Sequence, residues 1–160
     1  MSGRARRLGL LLALFAVALP LALDPLITTD EERVETTLAA LESALEARDA
    51  AGVLVWCAPD VKLSARAPFL AGKRTLAAAL ESLLPKLGEL RLSRDEADLD
   101  FGDPDRPSIA LSGSGFATHP SFGGGPFRLD ARVVLARVSE PDERFLLAEV
   151  VSLEVGSLLR

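Results

Sequence analysis

"FRLDARVVLARV", Phe127 to Val138, is the stretch on which the fold turns. Phe127, Leu129, Ala131, Val133 and Leu135 fall on every second position, with Arg128, Asp130 and Arg132 between them. A period of two belongs to a strand with one buried face and one wet face. Toward the N-terminus, "SIALSGSGFAT" (108–118) reads as another strand, and Ala97, Leu99 and Phe101 alternate with Asp98 and Asp100 in a third that starts near Leu90. "GDPDRP" (102–107) is rich in glycine, proline and aspartate and supplies the turn between them. Toward the C-terminus, "SEPDE" (139–143) turns the chain and "RFLLAEVVSLEV" (144–155) closes an antiparallel meander.

Before Leu90 the period is helical. Thr29 stands three residues ahead of Glu32, the spacing of a capping box. Val34, Leu38, Leu41 and Leu45 follow at helical intervals, which predicts a helix over about Asp30 to Asp49. Glu31, Glu35, Glu42 and Glu46 fall mostly away from that face. "AAGVLVWCAPD" (50–60) suggests a second, short helix ending before Pro59, and "VKLSA" (61–65) a short strand. "GKRTLAAALESLLP" (72–85) puts Leu76, Leu80, Leu83 and Leu84 at helical spacing, with Pro85 closing or kinking it. Helices first and an antiparallel meander second predict an α+β fold, helices packed on a curved sheet.

The 160 residues suffice for one domain with a sizeable core. Arg4, Arg6 and Arg7 precede an uncharged apolar run, "LGLLLALFAVALPLAL" (8–23), the pattern of an export signal or an uncleaved anchor. The expected layout is a signal peptide or membrane anchor over 1–23, a connector over 24–28 and a single domain over 29–156. The domain is then exported: tethered through residues 8–23, or secreted or periplasmic if the segment is cut. Beyond residue 23 there are 15 basic and 23 acidic residues, a net charge of −8. An acidic domain without a basic stripe is unsuited to nucleic acid. Cys57 is the only cysteine, so no intrachain disulfide forms, and there is no tyrosine to act as a phenol.

"SGFATHPSFGGGPF" (114–127) holds the only histidine and three consecutive glycines. A phosphate-cradling glycine loop needs a helix after it, whereas Pro126 and a strand follow here. The stretch therefore reads as a hairpin connection. A lone His119 offers no ligand set, and "SRDEADLD" (93–100) lacks the spacing and central glycine of a calcium loop, so neither a metal nor another cofactor is expected.

"TDEERVETTLAALESALEARDAAGVLVWCAPDVKL" (29–63) resembles the opening of nuclear-transport-factor-2-like (NTF2-like, or SnoaL-like) domains: a long helix, a short helix with x-A-P-D, then a strand. "LAGKRTLAAALESLL" (70–84) is similar to their third helix, and four antiparallel strands follow as they do in that family. The resemblance covers about residues 28–155 and implies a cone-shaped, cystatin-like roll with a pocket between helices and sheet. That fold hosts isomerases, cyclases, dehydratases and plain binding domains, so fold alone does not give function. The absence of tyrosine departs from the ketosteroid-isomerase branch, and no His/Asp pair matches the polyketide-cyclase branch.

Strand parity nominates the pocket residues. Glu149 shares the parity of Phe145, Leu147, Val151, Leu153 and Val155, which would place a carboxylate in an apolar row and raise its proton affinity, as a general base requires. The other reading is a rim carboxylate paired with an arginine such as Arg66 or Arg137. Gly113, Gly115 and Ala131 would leave space on the inner face, as pocket floor or as bending points, and Trp56 would line the mouth or fill the core. Ala110, Val134, Ala136, Leu146, Ala148 and Val150 share the opposite parity and form an apolar outer patch, the expected interface of a homodimer. These readings favour a binding domain for a small apolar ligand or a protein partner, without catalysis. The alternative is a SnoaL-like enzyme of isomerase, cyclase or hydrolase type with Glu149 as base.

Overall fold

In a computed structural model of the chain, the residues described are 29–64, 71–120, 123–139 and 142–157. The apolar run at 8–23 and the connector at 24–28 lie outside them. The chain divides into two units, 1–33 and 34–160. Of the first, Thr29–Arg33 is described: the start of helix α1 (Asp30–Glu46). Its capping box forms as the spacing predicts. The Thr29 amide donates to Glu32 Oε2 at 2.9 Å, and the Glu32 amide donates to Thr29 Oγ1 at 3.2 Å. Asp30, Glu31 and Glu32 place negative charge on the positive end of the helix dipole.

The second unit carries the rest of α1, then α2 (Ala50–Val55), β1 (Cys57–Leu63), α3 (Lys73–Leu83), a 3-10 turn (Leu84–Lys86), β2 (Leu90–Asp100), β3 (Ser108–His119), β4 (Gly123–Val138) and β5 (Arg144–Ser157). Helix α1 stops at Arg48, which takes the left-handed conformation (φ 57°) usually left to glycine. The Arg48 amide bonds back to Leu45 and the Asp49 amide to Ala44, the two bonds of a Schellman motif. The side chain explains why an arginine stands there: its Nη1 donates to the carbonyls of Leu87 at 2.8 Å and Gly88 at 2.6 Å.

The strands make one five-stranded sheet in the order β1-β5-β4-β3-β2, β1 parallel to β5 and the others antiparallel. The fold is α+β, as the change of period implies. One boundary differs. "CAPD" is not the end of a helix but the start of β1. β1 is an edge strand, where Pro59 breaks no ladder on its open side. Leu83, expected on the buried side of α3, is 59% exposed, because the 3-10 turn carries Leu84 into the core in its place.

The core lies between α1 and the inner face of the sheet. Val34 and Leu38 pack on Ile109, Val133, Leu135 and Phe145. A second cluster joins Leu41 to Val53, Cys57, Val61 and Leu76, tying α2, β1 and α3 to the same helix. Thr37, buried at the sheet, donates from Oγ1 to the Phe145 carbonyl at 2.9 Å.

Register slips in β2 and β5 turn side chains over. In β2 the register slips between Arg94 and Glu96, so that Arg94 and Ala97 both face inward although they differ in parity. In β5 the register slips twice, around Ala148 and around Val151. Phe145 and Leu147 face the core before the first slip, Val150 opposite Val133 between the two, and Leu153 opposite Ala131 after the second.

Candidate ligand-binding site

Glu35, Glu42 and Glu46 are spaced by seven and four residues and share one stripe of α1. That stripe runs alongside β2: Glu35 and Glu46 stay exposed, as the helical pattern implied, and Glu42 is half-buried. The Arg94 side chain, 17% exposed, meets it. Arg94 Nη1 donates to Glu35 Oε2 at 3.0 Å, Nη2 donates to the other Glu35 oxygen, and Nε lies 3.2 Å from Glu42 Oε1. Glu46 Oε1 accepts the Leu92 amide at 2.7 Å, which satisfies a donor on the edge strand and blunts that edge.

Glu42 titrates above the usual carboxylate range. Burial is the main cause, Arg94 opposes it, and the charges of Glu35 and Glu46 add to it. It stands at a cleft of about 50 Å3 lined by apolar Leu92, Leu111 and Leu129 together with Arg94, Gly113, Ser93, Ser112 and Ser114. In the sheet, Leu129 neighbours Val155 and Ala131 neighbours Leu153. Leu153 and Val155 are 42% and 60% exposed, so an apolar shelf continues from the cleft along the same face.

Gly113 and Gly115 lie on β3, opposite Arg94 and Leu92 of β2. A Cβ at Gly113 would lie 2.6 Å from the Ser93 carbonyl oxygen, and one at Gly115 would lie 2.5 Å from the Phe127 ring. Gly113 thus belongs to the cleft, while the space over Gly115 is taken by Phe127. Ala131 continues the inner face beside Leu111 and Leu153. Trp56 is elsewhere, between α2 and the sheet, with the Arg144 guanidinium 5.8 Å from its ring.

Glu149 does not join the apolar row that parity assigned to it. The first slip in β5 sets it opposite Val134, on the other face, and Val150 takes the inward position. There its Oε1 accepts a hydrogen bond from Ser64 Oγ, and Lys62 is its neighbour on β1. Arg137, its suggested partner, pairs with Glu143 at 2.5 Å and with Asp105 at 3.5 Å. Alternation alone hid both Glu42 and Arg94, since each depends on a bulge or on how α1 is rolled against β2.

The outer face carries a larger, shallow groove of about 420 Å3, bordered by Glu96, Asp98, Asp130, Glu154 and Arg132. It is polar and acidic. Of the apolar patch expected on that face, Leu146 and Ala148 are already buried with Ala58, and Val150 is turned inward. Among the described residues no group of three or more His, Cys, Asp or Glu is placed to hold a metal. Burial pushes the Cys57 thiol up to about 11, which leaves it protonated and unreactive at neutral pH.

A long helix and shorter helices laid on the inner face of a curved sheet, with a cleft between them, define the NTF2-like fold, and this chain has it. A candidate dehydratase of the NTF2-like family from Streptomyces avermitilis superposes with a TM-score of 0.66 at 13% identity, over 82% of this chain and 98% of that one. A ketosteroid isomerase-like protein from Erwinia carotovora atroseptica gives 0.62 at 17% identity, over 79% and 99%. A Catenulispora acidiphila protein in complex with S-DNPA gives 0.63 at 17% identity, over 77% and 90%. No protein-family model and no curated protein sequence matches the chain.

Proposed function

We propose that this is a binding domain without catalysis, which takes a small apolar ligand on the inner face of its sheet and works outside the cytoplasm, exported or tethered through residues 8–23. The observation that carries the ligand reading is the continuity of the cleft at Leu92, Leu111 and Leu129 with the exposed Leu153 and Val155. Exposed apolar side chains beside a concave site are what a small-molecule pocket presents. A fold neighbour in complex with S-DNPA supports it.

An enzyme needs a base and a group to hold the developing negative charge. The cleft brings Glu42, while the Arg94 fork is already bound by Glu35. The second reading, a SnoaL-like enzyme, is favoured by one feature: burial raises Glu42 beside an apolar cleft, which is how a general base is prepared. In that reading Glu42, not Glu149, is the base. Titration with an apolar fluorescent probe tests the primary reading. Probe fluorescence is expected to rise on binding, and Leu153→Ser with Val155→Ser to weaken it about tenfold with the melting temperature kept. Equal binding by wild type and double variant counts against it. For the export reading, fractionation should place the domain outside the cytoplasm. Recovery of the full chain in the cytosolic soluble fraction overturns that part alone.

A further inference from the structure

We infer that the C-terminal half of β5, from Val151 onward, pairs with the same segment of a second copy of the chain, antiparallel about a two-fold axis at Leu153. This goes beyond the ligand reading, which uses the inner face of this segment and needs no second copy.

The edges of the sheet carry the argument. β1 accompanies β5 only as far as Val150: Leu63 lies beside that residue, and the Ser64 amide donates to its carbonyl at 3.0 Å. By Ala71 the chain is back beside β1, opposite Lys62, and the Gly72 amide donates to the Val61 carbonyl at 2.7 Å. On its other side β5 pairs with β4 as far as Ser157. Among the described residues, therefore, no strand flanks β5 beyond Val150 on that side, and a row of its backbone groups is open. Such a row is a template for another strand.

The two outer strands of the sheet are guarded. β2 carries arginines and carboxylates along its length, and Glu46 holds its Leu92 amide. β1 contains Pro59 and Lys62 and meets the returning chain at Ala71 and Gly72. The stretch "VSLEVGS" (151–157) has neither proline nor lysine, and its one charge is Glu154. Its apolar side chains are uncovered: Val151, Leu153 and Val155 are 37%, 42% and 60% exposed.

The order of these residues points to the occupant. Antiparallel pairing about Leu153 sets Val151 opposite Val155 of the other copy, and Leu153 opposite its own counterpart. Ser152 then faces Glu154 of the other copy, so neither carboxylate meets a like charge. Centring the pair on Glu154 sets the two carboxylates against each other, and centring it on Val155 sets Leu153 against a serine. Centring it on Ser152 calls on Val150, which β1 already holds. The segment is thus complementary to itself in one register, as a two-fold contact requires. An axis perpendicular to the sheet keeps both inner faces on one side, so Leu153 and Val155 of the two copies form one wider shelf. So short a segment buries less than the roughly 1,000 Å2 of a stable interface, and the pairing depends on concentration.

Disulfide trapping in the full-length chain, read on non-reducing gels after mild oxidation, tests the register. Wild type supplies the blank, since Cys57 is buried. Leu153→Cys is expected to give linked dimers, because residues directly opposite lie about 5 Å apart, within disulfide reach. Val151→Cys should link at least about tenfold more slowly, its two copies being roughly 13 Å out of step along the strands, against a reach of about 7 Å. Ser152→Cys mixed with Glu154→Cys should link faster than either alone. Val151→Cys linking as fast as Leu153→Cys overturns the pairing, and so does faster linking through Asp130→Cys on the outer face. Amide exchange needs no substitution: the amides of residues 151–156 should gain protection as the wild-type chain is concentrated about a hundredfold. Equal protection at both concentrations means that the chain's own residues cover this edge, and overturns the inference, as does no protection at either. Uptake of an apolar probe without linking overturns the pairing and leaves the ligand reading standing; linking without uptake supports the pairing and counts against the ligand reading.

Discussion

Glu42 is held by burial more than by its cation, and this has a pH signature. Its carboxyl is raised in the folded chain, so the protonated form is the one the fold prefers. The stability it contributes is present in full below the ordinary carboxylate range and is lost as pH rises through the folded value. Glu42→Gln is therefore expected to stabilise the fold slightly at pH 7, by less than about 1 kcal/mol given the group's partial exposure, and to change little near pH 4. Denaturation at the two pH values checks this; a loss at pH 7 would mean that the bond to Arg94 dominates. Thr37 is a contrasting residue, fully buried and bonded to the Phe145 carbonyl. Thr37→Val keeps the shape and removes the donor, so urea denaturation should show a loss of about 1–3 kcal/mol.

Element β5 decides which residues are core. Its two slips carry Val150 inward and Glu149 outward. Val150→Asp is expected to cost about 2 kcal/mol or more, as a charge placed against Val133 and the α1 side chains. Glu149→Ala, which removes only the bond to Ser64, should stay within about 0.5 kcal/mol. If Glu149→Ala is the more damaging of the two, the register described for β5 is wrong. At the start of α1, Thr29→Ala removes a cap that both partners complete, and a loss of about 1 kcal/mol is expected from thermal melts.

For the molecule as a whole, the outer face bears on self-association. Its apolar part is smaller than alternation suggests, and the groove beside it carries Glu96, Asp98, Asp130 and Glu154 against Arg132. Two copies meeting through this face bring like charges together. A homodimer formed through this face should therefore strengthen with salt, as the screening length falls from about 10 Å at 0.1 M to about 3 Å at 1 M. Light scattering at about ten micromolar reads the mass; a dimer that dissociates on adding salt places the contact elsewhere.

The sequence by itself determined the element types, their order and the capping of α1. These depend on local facts: a period of two or of 3.6, a threonine three residues before a glutamate, prolines and glycines at turns. It put Gly113 on the inner face but left open whether it floors a pocket or bends the sheet; the close approach of the Ser93 carbonyl came from the structure. Only the tertiary structure decided which carboxylate meets the cleft. Parity counts residues and assumes that each strand keeps step with its neighbour. One extra residue at Asp95 turns Arg94 inward, and one at Ala148 turns Glu149 outward, while nothing in "SRDEADLD" or "LLAEVV" marks a bulge. Glu42 lay on the polar side of its own helix, and the roll of α1 against β2 brought it to the cleft. A bulge and a helix's roll are set by how neighbouring elements pack, which is a property of the assembled sheet and not of any one segment.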